Sequence, residues 1–155
     1  MKAHIQRVTR AEVRVDGARV SGIERGMVVL LGVLKGDDAS CALRLAERVS
    51  KLRLFEDESD RMRHAATEVG ARCLVVSQIT LAWDGGSGNR PSFERAAEPE
   101  TARELCHRFV QALRERGVGM EEGVFGARME VELVNSGPVT FLLEEVPAST
   151  PRSET

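Results

Sequence analysis

A proline interrupts the last strand-like alternation of this chain. Met129, Val131 and Leu133 alternate with Glu130 and Glu132, and Asn135-Ser136-Gly137-Pro138-Val139-Thr140 then leads into the apolar run Phe141-Leu142-Leu143. Pro138 has no amide proton to give a sheet, so the segment belongs at a strand's first residue, an edge or a bulge. Gly137 adds backbone freedom, and a cis Gly137–Pro138 bond costs only ~0.5–1 kcal/mol. A cis bond turns two neighbouring carbonyls the same way, a device suited to gripping an amino group. The simpler reading is a plain turn that opens a strand.

A second segment carries polar groups where a core has little use for them. Leu74-Val75-Val76 is a continuous apolar run and reads as a buried central strand. Ser77-Gln78-Ile79-Thr80-Leu81 continues it, so Ser77, Gln78 and Thr80 are expected on that strand. Buried polar side chains cost free energy unless they find internal partners or a ligand. Taken singly, each is a satisfied structural residue as readily as a functional one.

The rest of the chain reads as an α+β domain. Ile5–Val8 and Ala11–Val15 alternate like strands, Asp16-Gly17 is a hairpin turn signal, and Val20–Ile23 returns. Arg25-Gly26 turns again into a buried strand over Met27–Leu34. Asp37 or Asp38 caps a helix over Ala39–Leu52, whose Ala42, Leu45, Ala46 and Val49 share one face. Glu56–Arg63 is charged and loop-like. Pro99 opens a second helix that ends near Gly117, with a stripe of Ala102, Leu105, Cys106, Phe109, Ala112 and Leu113. Residues 1–146 form the domain, and Pro147–Thr155, rich in Pro, Ser and Thr, is expected to be a disordered tail.

Composition excludes several classes. No run approaches the ~18 apolar residues of a membrane span, and the start has no signal-peptide block, so a cytoplasmic location is expected. Cys41, Cys73 and Cys106, like His4, His64 and His107, are scattered without ligand spacing or a triad, so neither a metal, another cofactor nor a cysteine nucleophile is expected. The net charge of −2 argues against wrapping a long nucleic-acid backbone. It leaves room for gripping an end, through local groups such as Arg7, Lys51, Arg53 and Arg90. Asp84-Gly85-Gly86-Ser87-Gly88-Asn89 is a glycine-bearing connection: a mobile rim or a plain link, but no Walker loop.

Taken together, Ser77–Leu81 and Asn135–Thr140 resemble the signatures of the D-aminoacyl-tRNA deacylase family, a Ser-Gln-Phe-Thr-Leu strand and an Asn-x-Gly-Pro-Val-Thr segment. The likeness extends through Ile5-Gln6-Arg7-Val8, Val29–Val33, Lys35-Gly36, Leu52–Asp57, Asn89-Arg90-Pro91-Ser92-Phe93 and Phe125–Met129, leaving only the last ten or so residues without a counterpart. This chain departs at Ile79, where the family has Phe, which removes aromatic stacking against adenine. The glycine-bearing stretch, usually richer in lysine, has none here.

The resemblance implies a barrel-like pair of mostly antiparallel sheets with helices outside, assembled as a homodimer. It implies hydrolysis of the ester joining a D-amino acid to the 3′ end of tRNA, with glycyl-tRNA as a further substrate. An aminoacyl ester is already activated and the adjacent ribose hydroxyl assists, so orientation and oxyanion stabilisation matter more than a strong nucleophile. Thr80 and its amide then sit at the ester, Gln78 positions the terminal nucleotide, and Ser77 shapes the strand. Ile79, Phe93, Asn135 and Val139 complete the substrate walls. Gly137 and Pro138 reach into the partner's pocket, where an L side chain collides with backbone, and Arg7 braces them through carbonyl hydrogen bonds. Other classes are a tRNA 3′-end binding protein without catalysis and a general esterase. The absence of a Gly-x-Ser-x-Gly elbow argues against the esterase.

Overall fold

The computed structural model describes residues 1–86 and 88–148, so the expected tail lies outside the described residues from 149 onward. In chain order the elements are β1 (Lys2–Val15), β2 (Ala18–Ile23), β3 (Gly26–Gly32), α1 (Ala39–Lys51), β4 (Phe55–Glu56), β5 (Met62–His64), β6 (Arg72–Ser77), α2 (Pro99–Glu115), β7 (Gly119–Glu122) and β8 (Met129–Glu144). The fold is α+β, with a barrel-like main sheet.

That sheet is mixed, and it is one sheet rather than a pair. Its order is β2-β1-β3-β6-β7, with β8 on the other side of β1. β1 runs antiparallel to β2, β3 and β8, whereas β3, β6 and β7 are parallel neighbours. The parallel half follows from connectivity. The chain leaves β3 through α1 before returning as β6, then leaves β6 through α2 before returning as β7. Such crossovers join parallel strands. The charged stretch expected as a loop instead contains the β4–β5 hairpin.

Both faces of the sheet are covered. Cys73 and Val75 join the cluster beneath α1 and α2, whereas Leu74 and Val76 join Val8, Val13 and Val28 on the opposite face. Burial on both sides is why this strand reads as an unbroken apolar run. α1 starts where Asp38 accepts a hydrogen bond from the Cys41 amide at 2.9 Å, and it buries Ala42, Leu45, Ala46 and Val49 as spaced. Hydrogen bonds from Ser40 and the Cys41 amide hold the Asp38 carboxyl down at about 2. The Asp16-Gly17 turn has φ of 50° and 79°, both left-handed, as a tight hairpin requires.

The end of β8 is fastened to α1 by a buried carboxylate. Glu145 is 3% exposed and accepts from Arg48 Nη1 at 2.6 Å and Arg44 Nε at 3.1 Å. Burial pushes its carboxyl upward, but the bonds from Arg48 and Arg44 outweigh that and hold it below its ordinary 4.5. A depressed folded value means stability that is complete above the ordinary value and is lost as pH falls through the folded one. Melting temperature measured against pH should therefore show Glu145→Gln less stable than the parent at neutral pH. The gap should close in acid.

Candidate active site

The polar segment after β6 leaves the sheet. β6 stops at Ser77, and Ile79–Ala82 forms a 3-10 turn flanked by Gln78 and Trp83. The expected strand through Leu81 is therefore corrected. The Gln78 amide still reaches Leu31 O at 2.8 Å, after which the chain turns inward across Gly32. A Cβ on Gly32 would stand 2.7 Å from Leu81 Cβ, so glycine there lets the turn lie against β3. The turn's own bonding begins with Leu81 N–H to Gln78 O at 3.3 Å. The Ile79 and Thr80 amides precede that bond and find no acceptor among the described residues, as expected at a helix start. Gln78 Nε2 donates to Thr80 Oγ1 at 2.5 Å. Thr80 is exposed, and no carboxylate or imidazole hydrogen-bonds its hydroxyl among the described residues.

Beside this turn lies a pocket of about 420 Å³. Ser77, Gln78 and Ile79 form one wall, Ala102 and Cys106 of α2 another, and Phe125 with Met129 a third. Ala96 and Ala97 close the rim. They are held there because Leu34 bridges Ala96 and the Ala97 amide donates to Val33 O at 3.0 Å. Burial, then the charge of Glu122, pushes the Cys106 thiol up to about 12, so it is an apolar wall rather than a thiolate. Ile79 stands 60% exposed, leaving apolar surface uncovered. Phe93, also exposed, is not part of this lining.

The Asn135–Thr140 segment forms a loop within β8. Gln6 pairs with Thr140 and Val8 with Asn135, so Arg7 alone stands opposite Ser136, Gly137, Pro138 and Val139. Asn135 closes this bulge: its Oδ1 accepts from the Val139 amide at 2.9 Å and its Nδ2 donates to Thr140 Oγ1 at 3.0 Å. Val139 packs on the main core, whereas Gly137 and Pro138 are exposed. Proline is accommodated because a bulge asks for no ladder hydrogen bond.

The expected cis bond is not present. No described peptide is cis, so Gly137–Pro138 is trans, and Gly137 takes φ +112° instead. Glycine's freedom at positive φ re-aims the chain without isomerisation. Arg7 lies beneath the loop, 5% exposed. Its Nε donates to Ser136 O at 3.2 Å, its Nη1 to Leu54 O at 2.8 Å and its Nη2 to Glu56 at 2.6 Å. The guanidinium thus ties the bulge to the β4 segment. Lys51, Arg53 and Arg90 are not part of either cluster, and Lys51 pairs with Glu47.

Two clusters result, and within one chain they are separate. Ser77, Gln78 and Ile79 line the pocket, whereas Arg7, Asn135, Gly137, Pro138 and Val139 do not. Sequence reasoning missed Ala102, Cys106 and Phe125 as pocket walls. Ala102 and Cys106 had a signal: small residues four apart on a helix leave a groove where larger ones fill it. No ligand-like group of three or more His, Cys, Asp or Glu occurs among the described residues, and none of their helices is long and apolar enough to cross a membrane.

Comparison with known proteins narrows the reading. The profile of the family described as D-Tyr-tRNA(Tyr) deacylase matches residues 4–144. A D-aminoacyl-tRNA deacylase of Anaeromyxobacter dehalogenans (strain 2CP-C) is 53% identical over 144 residues, 93% of this chain and 97% of the relative. One of Geotalea daltonii (strain DSM 22248 / JCM 15807 / FRC-32) is 48% identical over 154 residues, 99% of each. Among solved structures, the c-Myc DNA Unwinding Element Binding Protein superposes with a TM-score of 0.88 at 39% identity, covering 96% of this chain and 100% of that one. A probable eukaryotic D-amino acid tRNA deacylase shares the fold at a TM-score of 0.78 and 17% identity, covering 93% of this chain and 98% of that one.

Proposed function

This chain belongs to the D-Tyr-tRNA(Tyr) deacylase family, and from that premise we propose that it hydrolyses the ester joining a D-amino acid to the 3′ end of tRNA, in the cytoplasm, as a chiral proofreading step. The observation that carries the reading is the pair of amides at Ile79 and Thr80, without an acceptor among the described residues, beside an apolar pocket. The pocket takes the terminal nucleotide, with Gln78 orienting it. The Thr80 amide holds the ester carbonyl oxygen as negative charge develops there. Water attacks with help from the adjacent ribose hydroxyl, and the C–O bond to the ribose breaks, returning a proton to the leaving oxygen. Thr80 acts as scaffold: its hydroxyl accepts from Gln78, and no base among the described residues hydrogen-bonds it.

Selection against L-amino acids falls to the Gly137–Pro138 loop of a second copy of the chain. The loop is exposed and lies outside its own chain's pocket. Among the described residues β8 pairs only with β1, and it exposes Val134, Phe141 and Leu142, an edge that a two-fold partner would cover. Backbone placed there rejects an L side chain by collision, while glycyl-tRNA, having no side chain, passes.

The test is hydrolysis of one D-aminoacyl-tRNA beside its L counterpart, without added metal. Release from the D ester and not the L ester supports the reading; binding without release of either leaves only a tRNA-end binder. In the same assay Thr80→Ala should keep most of the parent's rate, and rapid quenching should trap no acyl-enzyme. A covalent adduct on Thr80 would reverse its assignment.

A further inference from the structure

We propose that Arg103 and Arg128 form a phosphate-binding rim on the pocket and hold the sugar-phosphate backbone of the single-stranded nucleotides preceding the one inside it. The proposal rests on the pocket's taking the terminal nucleotide, as read above. The Arg103 guanidinium lies over the Phe125 ring, 4.6 Å from its centroid, and Phe125 lines the pocket. Arg128 sits between Ala127 and Met129, both of which also line it. Both arginines are exposed.

The turn that carries Phe125 is preformed. Ala127 N–H donates to Val124 O at 3.1 Å, and Gly126 holds φ +76°, the geometry of a turn with glycine at its third position. The Val124 amide donates to Met129 Sδ at 3.3 Å, tying the turn back to β8. The turn backbone that carries Phe125 is thereby set before any ligand arrives, and Arg128 follows directly on it.

The charges of these arginines are unspent. Neither forms an ion pair among the described residues, while the nearby carboxylates are taken: Glu121 by Arg72 at 2.7 Å, Glu122 by Arg114 at 2.8 Å and Glu104 by Arg108 at 2.8 Å. Glu130 stands opposite Arg14 in the β1–β8 register. Glu100, one turn before Arg103 on α2, is the acidic neighbour that keeps the rim from being strongly basic. An arginine stacked on an aromatic ring keeps its N–H edge free for two phosphate oxygens, which a lysine cannot match. On a chain of net charge −2, a local pair of this kind suits a short single-stranded end rather than a long duplex.

The experiment uses the full chain, a short fluorescent RNA with a single-stranded 3′ end, and a phosphate-free D-aminoacyl adenosine ester. Arg103→Gln and Arg128→Gln should each weaken RNA binding and reduce the slope of log affinity against log salt by about 0.7–1. Hydrolysis of the phosphate-free ester should be unchanged, and Arg103→Lys should recover part of the salt slope. Unaltered slopes overturn the proposal. Equal loss on the phosphate-free ester also overturns it, because Arg103 would then merely prop Phe125. If the parent chain hydrolyses neither ester, the catalytic reading alone falls, since RNA binding reads the rim without it.

Discussion

Gly137→Ala is expected to lower hydrolysis of a D-aminoacyl-tRNA by about 100-fold, the scale on which a misplacement of about 1 Å acts in an active site. Two features of the position set this expectation. Gly137 holds φ +112°, which L side chains rarely adopt, and an added Cβ would stand 2.5 Å from Arg7 Nη2 and 3.0 Å from Val139 Cγ2. Arg7 is not a flexible surface end that can step aside, since it is held by Ser136, Leu54 and Glu56. The loop must therefore move. Melting temperature should change less than activity, because the tip itself is exposed. Mixing then separates a loop that acts across subunits from one that acts locally. Gly137→Ala chains combined with Gln78→Ala chains should regain part of the parent's rate, because a mixed dimer has one site with both parts intact. No recovery, with mixed dimers verified by mass, would place the loop's action within its own chain.

Arg7→Ala should be the most destabilising single change near the site, by about 3 kcal/mol. Its side chain is 6% exposed, and removing it strands the carbonyls of Leu54 and Ser136. The pair with Glu56 adds less, since that carboxylate is 42% exposed. Arg7→Lys retains the charge but cannot serve three acceptors in one plane, so it should fall between the two. Chemical denaturation reads the stability. The ratio of D to L hydrolysis reads the positioning, and it should drop as the loop loosens. Lost stability with an unchanged ratio would make Arg7 a structural residue only.

Much of the fold was legible because its signals are local. Asp38, Pro99 and the Asp16-Gly17 pair act within a few residues of themselves, and they mark the starts of α1 and α2 and the β1–β2 turn. The α2 stripe was equally plain, since helical spacing alone puts Leu105, Phe109 and Leu113 on one face. Less local features misled. The run from Leu74 to Leu81 reads as one strand, yet it turns after Ser77 because Gly32, over forty residues earlier, leaves room for Leu81.

By itself the sequence determined the family, the helix starts and the need for a break at Pro138, each of which depends on residue identity and short spacing. Only the tertiary structure decided that the break is a trans bulge opposite Arg7, that Ile79 opens a 3-10 turn whose first two amides find no acceptor among the described residues, and that Ala102, Cys106 and Phe125 wall the pocket. Those outcomes hang on strand register and on contacts between distant segments. A one-residue change of register moves every side chain to the other face while leaving the local pattern intact.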